Sequence, residues 1–204
     1  MKTILFFTIT VFFITINTYS QLDKKTWLVG VTGSFDSYKR EQSYISQQTN
    51  NHVITEHDFK VIELSPKVGY FFIDKLAIGI TPTFSYSKVI SRVNNTTAYY
   101  ANKFSVGPFA RYYFLKKDKP FNILAEANYQ LGFLSAHSSP KEKGSINRYT
   151  FLVGSEIFFN SSVGMEVLLG YKYNKEKLDN TFLGTTKNNG FHVSVGFQFH
   201  LEKL

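Results

Sequence analysis

The chain has 204 residues, with 23 Lys and Arg against 15 Asp and Glu, a formal net charge of +8, 43% apolar residues and no cysteine. The lack of cysteine excludes a disulfide framework, a thiolate metal site and a cysteine nucleophile, and the apolar fraction excludes a disordered chain. The length allows one domain or two small ones. Aromatic residues make up 17% of the chain, which favours strands, because aromatic side chains fit a pleated surface well.

Residues 1–20 have the layout of a Sec-type signal peptide. Lys2 gives a basic start, residues 4–16 (ILFFTITVFFITI) form an apolar run of thirteen, and the small residues Thr18 and Ser20 precede Gln21. A membrane-spanning helix needs about 20 apolar residues, so this run is too short for one. We therefore expect cleavage after Ser20, which leaves residues 21–204 as a single mature domain.

Eight stretches of the mature chain alternate between apolar residues and residues of other kinds. A period of two is that of a β-strand with two different faces, and helical spacing fits these stretches less well. In chain order the stretches are 27–35, 62–72, 76–86, 104–114, 121–131, 149–159, 163–173 and 191–201.

The connections between the stretches alternate in length. Long polar loops are predicted at 37–58, 88–103, 134–148 and 174–190, and short turns at 73–75, 115–120 and 160–162. An even number of strands of ~10 residues, joined in this way, is typical of a transmembrane β-barrel. Because lipid offers no partner to backbone N–H and C=O groups, a sheet in lipid has to close on itself. We expect an all-β fold, an eight-stranded antiparallel up-and-down transmembrane barrel with both termini on the short-turn, periplasmic side.

The second face of the stretches indicates which side of the barrel is apolar. It carries mostly small residues, such as Gly79, Thr81 and Ser194, whereas a soluble lipocalin-like barrel would expose long charged side chains there. A narrow lumen needs small residues to make room for a few large ones. We predict a lumen cluster of nearly balanced, buried charges. Its members are four acids and three bases: Glu63, Lys67, Arg111, Glu126, Glu156, Glu166 and Lys172.

Aromatic residues of the apolar face are concentrated at the ends of the stretches. Tyr70 and Phe72 lie near a short turn, and Phe84 and Tyr86 lie near a long connection. Two aromatic belts that flank an aliphatic middle are typical of two membrane interfaces.

Three prolines argue against a membrane-spanning sheet, because each removes one donor from the hydrogen-bond ladder. These are Pro66, Pro82 and Pro108. If the first short turn centres on Asp74, Pro66 and Pro82 face each other. We expect such a facing pair to share one interruption of the ladder, which limits the loss.

Three segments carry a resemblance to a known family. They are SPKVGYFFIDKLAIGITPTFSYS at 65–87, SVGPFARYYF at 105–114 and GFHVSVGFQFHL at 190–201. In these phrases, and in pattern over the whole mature chain, the protein resembles the small outer-membrane barrels of the porin-family or OmpX/OmpW-like type. The resemblance implies an integral outer-membrane protein that is inserted by the barrel-assembly machinery. Eight strands leave a lumen filled by side chains, so a wide diffusion pore is not implied.

Candidate chemistry is sparse in this sequence. The lumen cluster is interpreted as a structural set of ion pairs, with a path for a proton or small ion as the alternative. His137 and Ser139 have the His-x-Ser spacing of outer-membrane lipid A deacylases. His52 and His57, with Glu56 and Asp58 nearby, are candidate metal ligands in a polar segment. Both patterns are weak. We expect no enzyme activity, no cofactor and no metal site.

The basic residues lie mostly in the connections, where they favour contact with anionic lipopolysaccharide in an outer leaflet. They form no stripe with interleaved aromatics, so nucleic acid is not an expected partner. We expect a monomer in outer-membrane lipid whose role is envelope integrity, adhesion or the binding of a surface ligand. The alternatives are a narrow channel for a small solute or ion, a barrel enzyme that modifies lipid A, and a soluble periplasmic barrel that binds an apolar ligand.

Overall fold

A computed structural model describes residues 22–45, 52–91, 96–117, 119–137, 142–179 and 185–202. The predicted signal peptide lies outside the described residues and stays a prediction. Among the described residues, no helix has the length and apolar character needed to cross a membrane.

The described chain forms eight strands that pair in sequence order. Each strand is antiparallel to the next, and β8 pairs with β1 to close the barrel. The predicted all-β, eight-stranded antiparallel barrel is therefore confirmed. The strands are β1 (Trp27–Ile45), β2 (His52–Ile73), β3 (Leu76–Ser91), β4 (Thr96–Tyr113), β5 (Phe121–His137), β6 (Glu142–Phe158), β7 (Val163–Leu178) and β8 (Thr185–Leu201).

The four long polar loops of the sequence prediction are wrong. The strands run on through most of these segments, so that Ile45 pairs with His52 and Lys177 pairs with Thr185. In these segments both faces of the strands carry polar residues. The alternation of apolar and polar residues therefore stops, although the backbone pairing continues. We call this side of the barrel the long-hairpin end and the opposite side the short-turn end.

The apolar face of the sheet points outward, as predicted. Phe151 and Leu169 are 60% and 54% exposed, whereas their inward-facing neighbours Leu152 and Leu168 are 5% and 0% exposed. A soluble barrel with an apolar interior and a charged exterior does not fit this arrangement.

The prolines interrupt the ladder where the sequence predicted. Pairing of β2 with β3 stops at Leu64–Phe84 and resumes at Val68–Ile80, which places Pro66 opposite Pro82. Side chains supply hydrogen bonds inside the gap: the Thr81 hydroxyl donates to the Pro66 carbonyl oxygen over 2.9 Å. The interruption is therefore shared between the two prolines and partly repaired from the lumen side.

Apolar side chains fill part of the short-turn half of the lumen. The Phe109 ring packs against the inner face of the wall at Gly69 and Gly79. A Cβ atom at either glycine would come within 2.8 Å of this ring. We call the set of buried apolar side chains in this region the apolar plug. Its members are Leu22, Leu28, Phe71, Ala77, Phe109, Tyr113, Leu124, Leu152 and Leu168.

Candidate functional site

The charged residues of the lumen form two clusters, which lie on either side of the middle of the barrel. All seven residues that the sequence placed in the lumen face inward, and they are divided between the clusters. The lower cluster contains Lys67, Arg111, Glu126, Glu156 and Glu166, and the upper cluster contains Asp36, Glu63, Arg148, Lys172 and His192.

Arg111 is the centre of the lower cluster and is fully buried. Its Nη2 lies 2.6 Å from Glu126 Oε2, and its Nη1 lies 2.6 Å from Glu166 Oε2. Lys67 Nζ contacts the same Glu126 carboxylate at 2.8 Å, and the Gln198 amide donates to Glu166 Oε1 over 2.8 Å. Five strands contribute to this cluster, so it ties distant parts of the wall together across the lumen.

Glu156 extends the lower cluster toward the short-turn end. Its Oε2 accepts a hydrogen bond of 2.6 Å from the Tyr113 hydroxyl, and its Oε1 lies 2.7 Å from His200 Nε2. Arg111 Nη1 is 3.7 Å away from the same carboxylate. A buried charge is expensive unless it is paired and hydrogen-bonded, and this carboxylate has both kinds of partner.

The upper cluster is held together by Glu63. One carboxylate oxygen lies 2.9 Å from Arg148 Nη2 and the other lies 2.9 Å from Lys172 Nζ. Lys172 also reaches Asp36 Oδ2 at 3.3 Å, and His192 Nδ1 lies 3.7 Å from that oxygen. The upper cluster is therefore a mixed layer of acids, bases and one imidazole.

A cavity of about 740 Å³ lies above the upper cluster, at the long-hairpin end. Asp36, Glu63, Arg148 and Lys172 form its inner wall, and Lys103 and Glu176 form an ion pair of 2.5 Å in its side wall. We call this space the mouth cavity. It ends at the upper cluster, and the lower cluster and the apolar plug together fill the short-turn half.

The sequence prediction missed Asp36 and Arg148. Asp36 follows the last residue assigned to the first stretch, and Arg148 was assigned to a loop. Each shares the inward parity of its strand, with Ser34 and Thr150 as the next inward neighbours. Continuing the alternation by one more residue would have found both. His192 and His200 face the lumen at opposite ends and contact different clusters.

The described residues show no arrangement of side chains that supports the His-x-Ser or the histidine metal-site hypothesis. His137 is the last residue of β5, and its ring stacks on Tyr100 with centroids 4.5 Å apart and planes 12° apart. Ser139 lies outside the described residues, as do the side chains of His52 and His57.

A clamp of charges holds the segment before β1 across the short-turn end. Lys117 forms ion pairs with Asp23 and Asp74, and the Asp74 carboxylate also accepts a hydrogen bond of 2.8 Å from the Lys24 N–H. Leu22 is fully buried beneath this clamp. The Lys117 ammonium, followed by the Lys24 N–H, lowers the pKa of Asp74 below its ordinary value.

No protein-family model and no curated protein sequence matches this chain. Solved structures do resemble it. The outer membrane protein OprG from Pseudomonas aeruginosa has 12% identity and a TM-score of 0.50, with 91% of this chain and 100% of that chain covered. Neisserial surface protein A (NspA) has 14% identity and a TM-score of 0.47, with 85% and 96% covered. The N-terminal β-barrel domain of Pseudomonas aeruginosa OprF has 13% identity and a TM-score of 0.43, with 87% and 98% covered.

The likeness to OprG shows the fold. At this level of identity the likeness says nothing about the roles of individual residues, because one fold can host many unrelated functions. The chain has the fold of a small eight-stranded outer-membrane β-barrel, as its sequence resemblance implied.

The first prediction concerns Arg111. Arg111→Met removes the guanidinium that pairs with the buried carboxylates of Glu126 and Glu166. We expect this substitution to lower the free energy of unfolding by about 3–5 kcal/mol. Urea titration of the barrel refolded in lipid vesicles measures this change. The control is Lys117→Met, which removes a partly exposed cation and is expected to cost less than about 1 kcal/mol. Equal losses in the two variants would contradict a structural role for the buried cluster.

The second prediction concerns the pH dependence of the clamp. A carboxyl whose pKa is lowered in the folded state stabilises the fold above its ordinary pKa of 3.8, and this contribution is lost as the pH falls through the folded-state value. We expect Asp74→Asn to be less stable than the native chain at neutral pH, and the gap to close in strong acid. Unfolding midpoints of both proteins across the acid range test this, and a gap that is independent of pH would refute it.

Proposed function

We propose that the protein is an integral outer-membrane barrel with both termini in the periplasm, that it is closed to diffusion, and that it acts without catalysis at its long-hairpin end. One observation carries the proposal: the outer face of the barrel is apolar, and its lumen is filled by ion pairs and the apolar plug. Such a wall is stable in lipid, because the closed sheet satisfies its backbone groups internally.

Aromatic rings at both ends of the outer face support a membrane location. At the short-turn end, Tyr70 makes edge-on contacts with Trp27 and Phe72 at centroid distances of 5.1 and 5.2 Å. At the long-hairpin end, Phe84 packs against Phe104 at 5.1 Å. Aromatic side chains, above all those of Trp and Tyr, are enriched at the two interfaces of a bilayer.

Paired lysines support the proposed orientation. Directly above the aromatic belt of the long-hairpin end, Lys175 faces Lys187 across β7 and β8, and Lys60 faces Lys88 across β2 and β3. Like charges directly opposite each other on one face of a sheet destabilise it. An anionic group between them removes this repulsion, and the phosphates of lipopolysaccharide are such groups. We therefore propose that the long-hairpin end lies at the outer leaflet.

Closure of the lumen supports a role in binding and envelope contact over transport. A solute that entered the mouth cavity would have to part both charge clusters and displace the apolar plug, in which Leu22 and Phe71 are fully buried. Loops and hairpins on a rigid scaffold are the usual location of binding function. We therefore assign the interaction with the cell exterior to the long hairpins.

The third prediction tests the barrel itself. In fractionated envelopes we expect the protein in the outer membrane, with faster electrophoretic migration before boiling than after it. In planar bilayers we expect the purified protein to give no conductance steps, with a general porin as positive control. A soluble periplasmic protein would refute the membrane assignment, and steady conductance would refute closure and favour the narrow channel.

The fourth prediction tests the orientation and the lipid partner. We expect lipopolysaccharide to raise the unfolding temperature of the native chain, and the double variant Lys175→Gln, Lys187→Gln to lose most of this rise. The matched control is Lys116→Gln, Lys119→Gln, which removes the same charge at the short-turn end. Equal responses of the two double variants would contradict a specific contact, and a loss only in the control would reverse the orientation.

A further inference from the structure

The upper cluster brings together three side chains with metal-binding atoms. Asp36 lies on β1, Glu63 on β2 and His192 on β8, and one ligand atom from each lies within 4.8 Å of the others. A Zn²⁺ ion with N and O ligands at 2.0–2.2 Å in tetrahedral geometry places those ligands about 3.3–3.6 Å apart. The distance of 3.7 Å between His192 Nδ1 and Asp36 Oδ2 is close to this spacing.

The His192 ring shows a second feature of the site. The residue is 7% exposed, and its Nδ1 makes no close hydrogen bond within the described residues, although Asp36 Oδ2 lies 3.7 Å away. Buried ring nitrogens normally have a partner, and this one points toward the carboxylate of Asp36 at the inner end of the mouth cavity.

The site also lies where the barrel wall opens. The pairing of β1 with β8 extends from Trp27–Leu201 to Gly33–Val195, and within the described residues it goes no further. Asp36 and His192 lie just beyond the last pair, on opposite sides of this seam. A ligand shared by the two side chains would therefore hold β8 against β1 and β2.

We propose that Asp36, Glu63 and His192 form a binding site for a divalent transition-metal ion of the Zn²⁺ type, with Lys172 as the cation that occupies the carboxylates when no metal is bound. One imidazole and two carboxylates suit this class of ion, and the mouth cavity leaves a coordination position for solvent or a ligand. Bound metal closes the upper end of the seam.

Lys172 sets the affinity of the site. Its ammonium lies 2.9 Å from Glu63 and 3.3 Å from Asp36, so a metal ion has to displace it. Arg148, which is 2.9 Å from Glu63, remains and opposes the incoming charge. The Lys172 side chain borders the mouth cavity and has room there to turn away toward Glu176. Removing its charge should therefore tighten metal binding, which a site used only for ion pairing would not do.

The test is a Zn²⁺ titration of the full mature chain, refolded in detergent and freed of metal by a chelator, against a chromogenic zinc indicator at neutral pH. We expect one Zn²⁺ ion per chain. We expect Lys172→Met to tighten binding about tenfold. We expect His192→Gln to weaken it by at least about 10–100-fold, because removing only an outer partner of a metal ligand already causes a loss of that size. The matched control is His137→Gln, which removes an imidazole that stacks on Tyr100 outside the site and should leave binding unchanged. Co²⁺ in place of Zn²⁺ should give visible absorption bands in the native chain that His192→Gln abolishes.

Two results would overturn the proposal: binding that is unaffected by His192→Gln, or binding that Lys172→Met does not tighten. The heat-dependent shift in electrophoretic migration shows whether each variant has folded. If a variant does not fold, chemical modification of His192 by diethylpyrocarbonate in the native chain decides the question. Protection of that residue by Zn²⁺ supports the site, and equal modification with and without Zn²⁺ refutes it.

Discussion

The need to satisfy every backbone hydrogen-bonding group within a closed sheet is the constraint on which the rest of this structure depends. Eight strands meet it by pairing in order and by joining β8 to β1 as far as the Gly33–Val195 pair. The facing prolines Pro66 and Pro82 show how strict the constraint is, because they share one gap in the ladder and Thr81 supplies a hydrogen bond inside it. With the wall satisfied in this way, its outer face is free to be apolar.

Closure with so few strands leaves a narrow interior, and this decides what the inward residues can be. Glycines make room for Phe109, and the remaining space is filled by Arg111 with its acids and by the apolar plug. A buried guanidinium requires partners on several sides at once, so the acids come from different strands and cross-link the wall. The lower half of the lumen is consequently filled by these side chains, and the mouth cavity lies above them at the long-hairpin end.

Sequence alternation predicted the parts of the structure that depend on local chemistry. The eight stretches, their outward apolar face and the facing prolines followed from a period of two and one turn position. The strand extensions did not, because outward residues such as Lys60 and Lys175 are polar and the alternation of hydrophobicity disappears there. The contact between Asp36 and His192 could not be predicted either, since it depends on the register at which the first and last strands meet.

The central claim is that the apolar face contacts lipid and the other face lines a filled lumen. Trp27 is the sole tryptophan, so Trp27→Phe gives a silent background for fluorescence in vesicles of lipid brominated on the acyl chains. We predict strong quenching for Phe151→Trp, at an outward position, and little for Phe109→Trp, at an inward one. Equal quenching at the two positions, or stronger quenching at the inward one, would contradict the account.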